Sequence, residues 1–142
     1  MNKATLNPIE LVASDEKMSR KLFERLRWGD HPVCPHCSST VTYKLTPKAT
    51  SKQPVREGVF KCGNCRKQFS VTVGTIFERS HIPLSIWIKA ITKLCQTAEG
   101  ITSYALHKLL GITYKSARLI EERLRYAIAQ PRLSSLLARQ AI

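Results

Sequence analysis

Two Cys-x-x-Cys motifs constrain this chain most strongly: CPHC at residues 34–37 and CGNC at residues 62–65. Two intervening residues let the backbone curl back, so that both sulfurs of a motif face one point and amide groups can hydrogen-bond to them. Ser38 and Gly63 suit such tight turns because small residues tolerate them. The pattern predicts one structural Zn²⁺ ion held by four thiolates, those of Cys34, Cys37, Cys62 and Cys65.

Disulfide bonds are the alternative use of these cysteines. The N-terminus lacks a basic segment followed by an apolar one, so nothing indicates secretion, and intracellular thiols are kept reduced. No apolar run approaches the length of a membrane span of about 18 residues. We therefore expect a soluble, cytoplasmic protein that binds zinc and has no membrane partner.

The chain has 142 residues, 43% of them hydrophobic, which fits one domain or two small ones that share a core. The cysteine-containing part alone is too small to fold by burying apolar surface. Its stability would depend on the metal, which contributes on the order of 10–16 kcal/mol in small zinc peptides.

The charge is strongly unbalanced. Lys and Arg number 23 against 10 acidic residues, for a net charge of +13, and most of the excess follows residue 33. Such an excess attracts polyanions, of which DNA and RNA are the commonest in the cytoplasm. Solubility is the alternative explanation, but solubility does not require so uneven a balance.

Periodicity predicts an α+β fold built around a zinc ribbon. An amphipathic helix is expected from Ser14 to about Trp28, with Ser14 or Asp15 as its N-cap. Alternating or short apolar segments at 41–45, 59–61 and 68–73 predict three short strands that carry the two cysteine motifs. One face of the helix is expected to hold Met18, Leu22, Phe23 and Leu26.

Three helices are expected after the ribbon. The first runs from about Pro83 to Ala98, with Cys95 as a small core residue. A short helix at 104–110 has Ala105, Leu106, Leu109 and Leu110 inward, and Gly111 ends it in a left-handed conformation. A longer helix, capped by Thr113, ends before Pro131. This order of a short helix, a glycine turn and a longer helix predicts a helix-turn-helix. The expected domains are an N-terminal helical segment at 1–32, the zinc ribbon at 33–76, the helical module at 77–130 and a C-terminal tail at 131–142.

The second helix of a helix-turn-helix places its N-terminal part in the major groove. Lys115 and Arg118 are the expected base readers, because Lys and Arg donate to guanine. Phosphate contacts or caps are expected from Thr113, Tyr114 and Ser116, with Arg125 further along the same outer face. An ordinary solvated helix face is the alternative. In the ribbon, the side chains that could follow a phosphate backbone are Lys44, Lys61, Arg66 and Lys67.

The motif CPHC, the run FKCGNCRKQFSVTVGTIFERSHIPL at 60–84 and the run at 100–125 resemble ISXO-type bacterial insertion-sequence transposases, which carry an N-terminal zinc ribbon. The resemblance covers about residues 14–128 and implies a module that binds transposon ends. In that family a catalytic domain with metal-binding acids follows, whereas this sequence stops at Ile142. Glu99, Glu121 and Glu122 do not form the convergent carboxylates that two-metal chemistry needs.

We therefore expect a DNA-binding protein that is associated with the nucleoid, and not an enzyme. A zinc-dependent, sequence-specific transcriptional regulator derived from a transposase is the first hypothesis. A truncated transposase that binds transposon ends without catalysis is the second, and a zinc-ribbon adaptor that binds RNA polymerase is the third. A two-fold symmetric DNA target would imply a homodimer. Leu133, Leu136, Leu137 and Ile142 give the tail an apolar stripe for packing on the core or for a dimer contact.

Overall fold

The computed structural model describes residues 12–48, 50, 52, 55–97 and 100–129. The described residues fall into two compact units: one lies within Asp15–Arg79, and the other comprises residues 12–14, 80–97 and 100–129. The described part contains a three-stranded antiparallel sheet and four helices, which confirms the α+β class. No helix among these residues is both long and apolar enough to cross a membrane. The C-terminal tail and Glu99 lie outside the described residues.

Helix α1 spans Glu16–Trp28 and has the expected signals at both ends. Asp15 caps it, since its carboxylate accepts a hydrogen bond of 2.8 Å from the Lys17 backbone N–H. At the other end, the Gly29 N–H donates to the Arg25 carbonyl at 2.8 Å. The cap is therefore Asp15, one of the two residues that the sequence offered.

The packing face of α1 differs from the predicted one. Met18 and Leu26 are 49% and 73% exposed, whereas Ser19 is fully buried. Phe23 does pack, with its ring centroid 4.8 Å from that of Phe77. Ser19 and Phe23 lie four residues apart, so the buried stripe is rotated from the expected one towards their side of the helix. The buried Ser19 hydroxyl is satisfied within the helix, because it donates to the Asp15 carbonyl at 2.9 Å.

The sheet has the order β1-β2-β3, with β1 at Thr42–Lys44, β2 at Phe60–Cys62 and β3 at Gln68–Phe69. Both pairings are antiparallel, with Lys44 opposite Phe60 and Phe60 opposite Phe69. Three short strands were predicted, and three are present, although β3 is shorter than expected. Val71 is buried, but it follows β3 in a turn and has no place in the strand ladder.

Aromatic rings form the core of the ribbon. Phe60 and Phe69 stack at 5.7 Å between centroids, and Trp28 meets both rings edge-on at 5.4 and 5.7 Å. These geometries are the favoured ones for aromatic pairs. Trp28, the last residue of α1, thus fixes the helix end against the sheet beside buried Cys34 and Cys62.

Helix α2 spans Leu84–Gln96, and Pro83 precedes it as the N-cap. Trp87 is fully buried and its indole N–H donates to the Ser80 hydroxyl at 3.2 Å. Cys95 is exposed, so its predicted place in the core was wrong. The buried side of α2 is formed by Leu84, Trp87, Ile88 and Ala90, and Cys95 lies off that side.

A short helix and a longer one follow: α3 at Ser103–Leu110 and α4 at Tyr114–Ala129. Gly111 joins them in the left-handed region, with φ 63° and ψ 28°, as predicted. Thr102 caps α3, accepting from the Ala105 N–H at 3.2 Å. Leu109 was expected inward but is 59% exposed. The α3–α4 core consists of Leu106, Ala117, Ile120, Leu124 and Ala127.

Candidate metal centre and nucleic-acid surface

The first cysteine motif forms a tight knuckle. The His36 backbone N–H donates to Cys34 Sγ at 3.4 Å, and the Ser38 N–H donates to the Cys34 carbonyl at 2.9 Å. Ser38 closes the turn with φ 62°, a conformation that few residues other than glycine adopt freely. The local fold thus turns both sulfurs of the motif to one side, as the sequence predicted.

The second motif repeats this geometry. The N–H groups of Asn64 and Cys65 donate to Cys62 Sγ at 3.3 and 3.4 Å, and Arg66 closes the turn with φ 67°. Gly63 approaches the residue before β1 closely, because its N–H donates to the Val41 carbonyl at 2.7 Å. A Cβ at this position would lie 3.0 Å from Val41 Cγ1, so a larger residue would need Val41 to shift by a few tenths of an ångström.

The two knuckles bring four sulfurs together. All four Sγ atoms lie within 4.8 Å of one another, with Cys34 to Cys65 at 3.6 Å and Cys37 to Cys62 at 3.5 Å. Around tetrahedral zinc, with Zn–S bonds of about 2.3 Å, sulfurs would be about 3.8 Å apart. The cluster therefore fits one Zn²⁺ ion with Cys34, Cys37, Cys62 and Cys65 as ligands, which makes it a closed structural site.

Hydrogen bonds within the cluster give the thiols of Cys62 and Cys65 different pKa values. The N–H groups of Cys65 and Asn64, together with the Cys37 and Cys65 side chains, outweigh burial and lower the pKa of Cys62 to about 6. For Cys65, the Lys67 N–H favours the thiolate, but burial and the other three cysteines raise its pKa to about 11. In the folded knuckles, the backbone N–H groups around Cys62 therefore favour its thiolate form, which is the form that binds zinc.

The N-terminal half of α4 presents polar and basic side chains. Thr113 caps the helix, accepting from the Ser116 N–H at 3.2 Å, as predicted. Tyr114 is 52% exposed, Lys115 and Arg118 are also exposed, and Ser116 is half-buried. The residues proposed from the sequence as base readers thus lie on the accessible side of this helix.

Two arginines of α4 form ion pairs with acids one turn away. Arg118 Nε lies 3.2 Å from Glu122 Oε1, and Arg125 Nη2 lies 2.6 Å from Glu121 Oε1. Glu121 also accepts a hydrogen bond from Ser103 Oγ, which ties the start of α3 to the middle of α4. Glu121 and Glu122 thus act as partners of arginines and, for Glu121, of the first residue of α3.

The ribbon cations do not share one surface. Lys44 lies opposite Phe60 in the sheet, and its ammonium is 6.0 Å from the centroid of that ring, so Lys44 is on the aromatic side. Lys61 is adjacent to Phe60 along β2 and therefore points to the other face. Arg66 and Lys67 are exposed beyond the second knuckle.

A basic cleft of the ribbon unit was missed by sequence analysis. Lys44 lines it together with Lys17, Arg20 and Lys21 of α1. The sequence offered one signal, the spacing of these three cations along one face of the helix. Nothing in the sequence indicates that the end of β1 lies across from these cations.

Comparisons with known proteins agree with this site. A family described as a transposase zinc-ribbon domain matches residues 14–68. An uncharacterised protein in transposable element ISH50 of Halobacterium salinarum is 23% identical over 125 residues, which are 88% of this chain and 40% of that protein. The chain thus spans less than half the length of this relative. No solved structure matches.

The family match includes both cysteine knuckles and helix α1, which are the parts that build the metal centre. It confirms the resemblance inferred from the cysteine motifs and the run that begins at Phe60. The N-terminal half of the chain is therefore similar to the zinc ribbons of transposases.

Proposed function

We propose that this protein binds double-stranded DNA in a sequence-specific manner and that α3 and α4 act as a helix-turn-helix. The observation that carries the proposal is the turn between them. Gly111 in the left-handed conformation directs the chain from α3 into α4. The inner faces of the two helices bury Leu106, Ala117 and Ile120. This leaves the start of α4 free to enter a major groove.

The roles of the α4 side chains follow from their chemistry. Lys115 and Arg118 carry exposed donors at the start of the helix, where guanine O6 and N7 would lie. Thr113, Tyr114 and Ser116 are phosphate contacts, and Arg125 reaches the backbone further along the groove. The net charge of +13 supplies the general attraction to DNA.

The zinc ribbon adds further backbone contacts. Arg66 and Lys67 beyond the second knuckle are exposed, and Lys61 is on the outer sheet face; these three cations meet phosphates. Lys44 contributes from the aromatic side. Zinc is needed because it holds these cations in place, so DNA binding is zinc-dependent.

Transposon ends are the proposed targets. The similarity to a protein of a transposable element favours binding to transposon ends over binding to promoters. A transcriptional regulator that binds promoters is the second candidate function. The described residues take no catalytic part in this proposal, since Glu121 and Glu122 are paired with arginines of their own helix. The proposed domain division is a ribbon unit with its N-terminal helix and a DNA-reading unit of α2, α3 and α4.

A binding titration tests the DNA proposal. Arg118→Ala is expected to cost about 1–3 kcal/mol of binding free energy at a preferred site and to relax preference for one base. Lys89→Ala is the matched control, since Lys89 is an exposed cation of α2 outside the proposed reading surface. Equal affinity and preference for Arg118→Ala, Lys89→Ala and the unmodified protein would contradict the assignment of α4 as reader.

A genome-wide map of DNA occupancy separates the candidate targets. Peaks at insertion-sequence ends that vanish when Lys115 and Arg118 are replaced by alanine support the transposon-end role. Peaks at promoters support the regulator. Absence of peaks, with RNA polymerase captured in a salt-insensitive complex, would favour the adaptor role instead. Protection of a two-fold symmetric site would show that a homodimer binds.

A further inference from the structure

A small cleft opens between α1 and the end of β1, within the ribbon unit. Its volume is about 140 Å³, and we call it the α1–β1 cleft. The charged side chains that line it are Lys17, Arg20, Lys21, Glu24, Lys44 and Glu57. Four cations against two acids give it a positive balance.

The cations converge because of the fold. Lys17, Arg20 and Lys21 lie three and four residues apart on α1 and therefore share one face of the helix. Lys44 joins them across the cleft because its place opposite Phe60 puts it on the aromatic side of the sheet. A surface with scattered lysines would not enclose a cavity in this way.

Gly58 makes room for Arg20. A Cβ at Gly58, where φ is 82°, would lie 2.3 Å from Arg20 Cδ, so a larger residue would displace the Arg20 side chain from its present place in the cleft. Arg20 Nη1 lies 3.4 Å from Glu57 Oε2, and the Glu57 side chain is 57% exposed. A pair that is so long and so exposed is weak, and a stronger anion can displace Glu57.

Glu24 at the cleft is not fully satisfied. Its Oε1 atom is buried and has no hydrogen-bond partner. Burial raises the pKa of Glu24, while nearby Lys44, Arg20 and Lys21 oppose that shift. The carboxyl group therefore takes up a proton more readily than usual, and the protonated form can donate to a ligand oxygen.

We propose that the α1–β1 cleft binds one phosphate group of the DNA backbone, held by Arg20, Lys21 and Lys44. This inference rests on the proposed DNA-binding function and adds a defined phosphate site far along the sequence from α4. The arrangement suits phosphate because several donors surround a space that fits one tetrahedral anion, and Arg20 can offer two parallel N–H groups. The net positive lining disfavours a metal ion.

The salt dependence of DNA binding tests the cleft. Fluorescence anisotropy with a short mixed-sequence duplex is measured across about 50–200 mM salt for the full zinc-loaded chain. Lys21→Gln and Lys44→Gln are each expected to weaken binding several-fold and together to reduce the slope of log K against log salt by about one. Arg25→Gln is the matched control, because Arg25 is an exposed cation of the same helix outside the cleft.

An acid variant gives an independent test. Glu24→Gln is expected to tighten DNA binding several-fold, because it removes a negative charge from the cleft and supplies a donor. Asp30→Asn, in the exposed turn after α1, makes the same charge change outside the cleft and should have a smaller effect. Zinc content and thermal unfolding of each variant show that it is folded.

The outcomes separate the two proposals. If the unmodified protein does not bind duplex DNA, the proposed function fails. If it binds, but the Lys21 and Lys44 variants match Arg25→Gln, the cleft proposal alone is overturned. Titrations with inorganic phosphate and with polyglutamate test whether the cleft binds another anion instead. If the cleft variants weaken binding of either anion but leave the salt dependence of DNA binding unchanged, the cleft proposal is also overturned.

Discussion

The Arg118 guanidinium lies one helical turn before Glu122 and donates from Nε to the Glu122 carboxylate at 3.2 Å. Both side chains are more than 60% exposed. Such pairs contribute about 0.3–0.5 kcal/mol, so the pair orients Arg118 without holding it strongly. A guanine edge or a phosphate can therefore replace the carboxylate as its partner.

Glu122→Gln is predicted to raise affinity for DNA of any sequence and to reduce discrimination between sequences. Loss of the carboxylate removes repulsion from phosphates and frees Arg118 to contact the backbone. Binding titrations with a preferred duplex and a scrambled duplex measure both effects. Asp30→Asn, in the ribbon unit, is the charge control. A fall in affinity for both duplexes would contradict the prediction.

Zinc removal is predicted to unfold the ribbon while the α2–α4 unit keeps its structure. The two tryptophans report separately, because Trp28 packs on Phe60 and Phe69 and Trp87 is buried in the other unit. Fluorine NMR of protein labelled with fluorotryptophan should show the Trp28 signal moving to its unfolded position on chelation. The Trp87 signal should stay in place.

Cysteine variants control this experiment. Cys65→Ser should reproduce the effect of chelation, because it removes a ligand, whereas Cys95→Ser should leave both signals unchanged, because Cys95 is exposed and outside the cluster. A native Trp28 signal in metal-free protein would show that the ribbon does not depend on zinc.

Zinc affinity is predicted to fall steeply with decreasing pH. Because the metal-free ribbon is expected to be unfolded, its thiols resemble those of free cysteine, which are mostly protonated at neutral pH. Zinc must displace the protons of all four ligands, Cys34, Cys37, Cys62 and Cys65. The slope of log K against pH, from chelator competition near neutral pH, is therefore expected to approach about four. A slope of about one or less would mean that most of the thiols are already deprotonated before zinc binds, and it would contradict the prediction.

Replacing Glu24 by glutamine is predicted to stabilise the ribbon unit at neutral pH. Burial raises the pKa of Glu24 above 4.5, so the folded state binds this proton more tightly than the unfolded state. The contribution of Glu24 to stability is therefore largest in acid and is lost as pH rises through the folded pKa. The gain from Glu24→Gln should be larger at neutral pH than at a pH near 4.5, the ordinary pKa of this carboxyl group, as urea unfolding of the zinc-loaded protein would measure.

Features with local geometry were predictable from the sequence. The cysteine knuckles, the caps at Asp15 and Thr113 and the left-handed Gly111 each depend on a few neighbouring residues. The chemistry of those residues allows few alternatives, and the structure confirms them.

Features that depend on tertiary packing were less predictable. The helical period gave α1 an apolar stripe with Met18 and Leu26, but the face that packs is set by the distant Phe77 and includes the small Ser19. The exposure of Cys95 and Leu109 has the same cause. An amphipathic pattern identifies the apolar side of a helix, but it does not show how much of that side the neighbouring elements cover. The α1–β1 cleft required the pairing of β1 with β2, which hydrophobic alternation does not specify.

Gly111→Ala is predicted to destabilise the α2–α4 unit by about 1–2 kcal/mol through backbone strain alone. Gly111 has φ 63° and ψ 28°, and a Cβ built on it would meet nothing within 4 Å, so no steric clash adds to the cost. Gly111→Asn should cost less, because asparagine adopts the left-handed conformation more readily. Urea unfolding followed at the Trp87 fluorine signal measures both variants. Equal stability of the alanine, asparagine and glycine proteins would mean that the turn does not need a left-handed residue, and the direction of α4 would then have another cause.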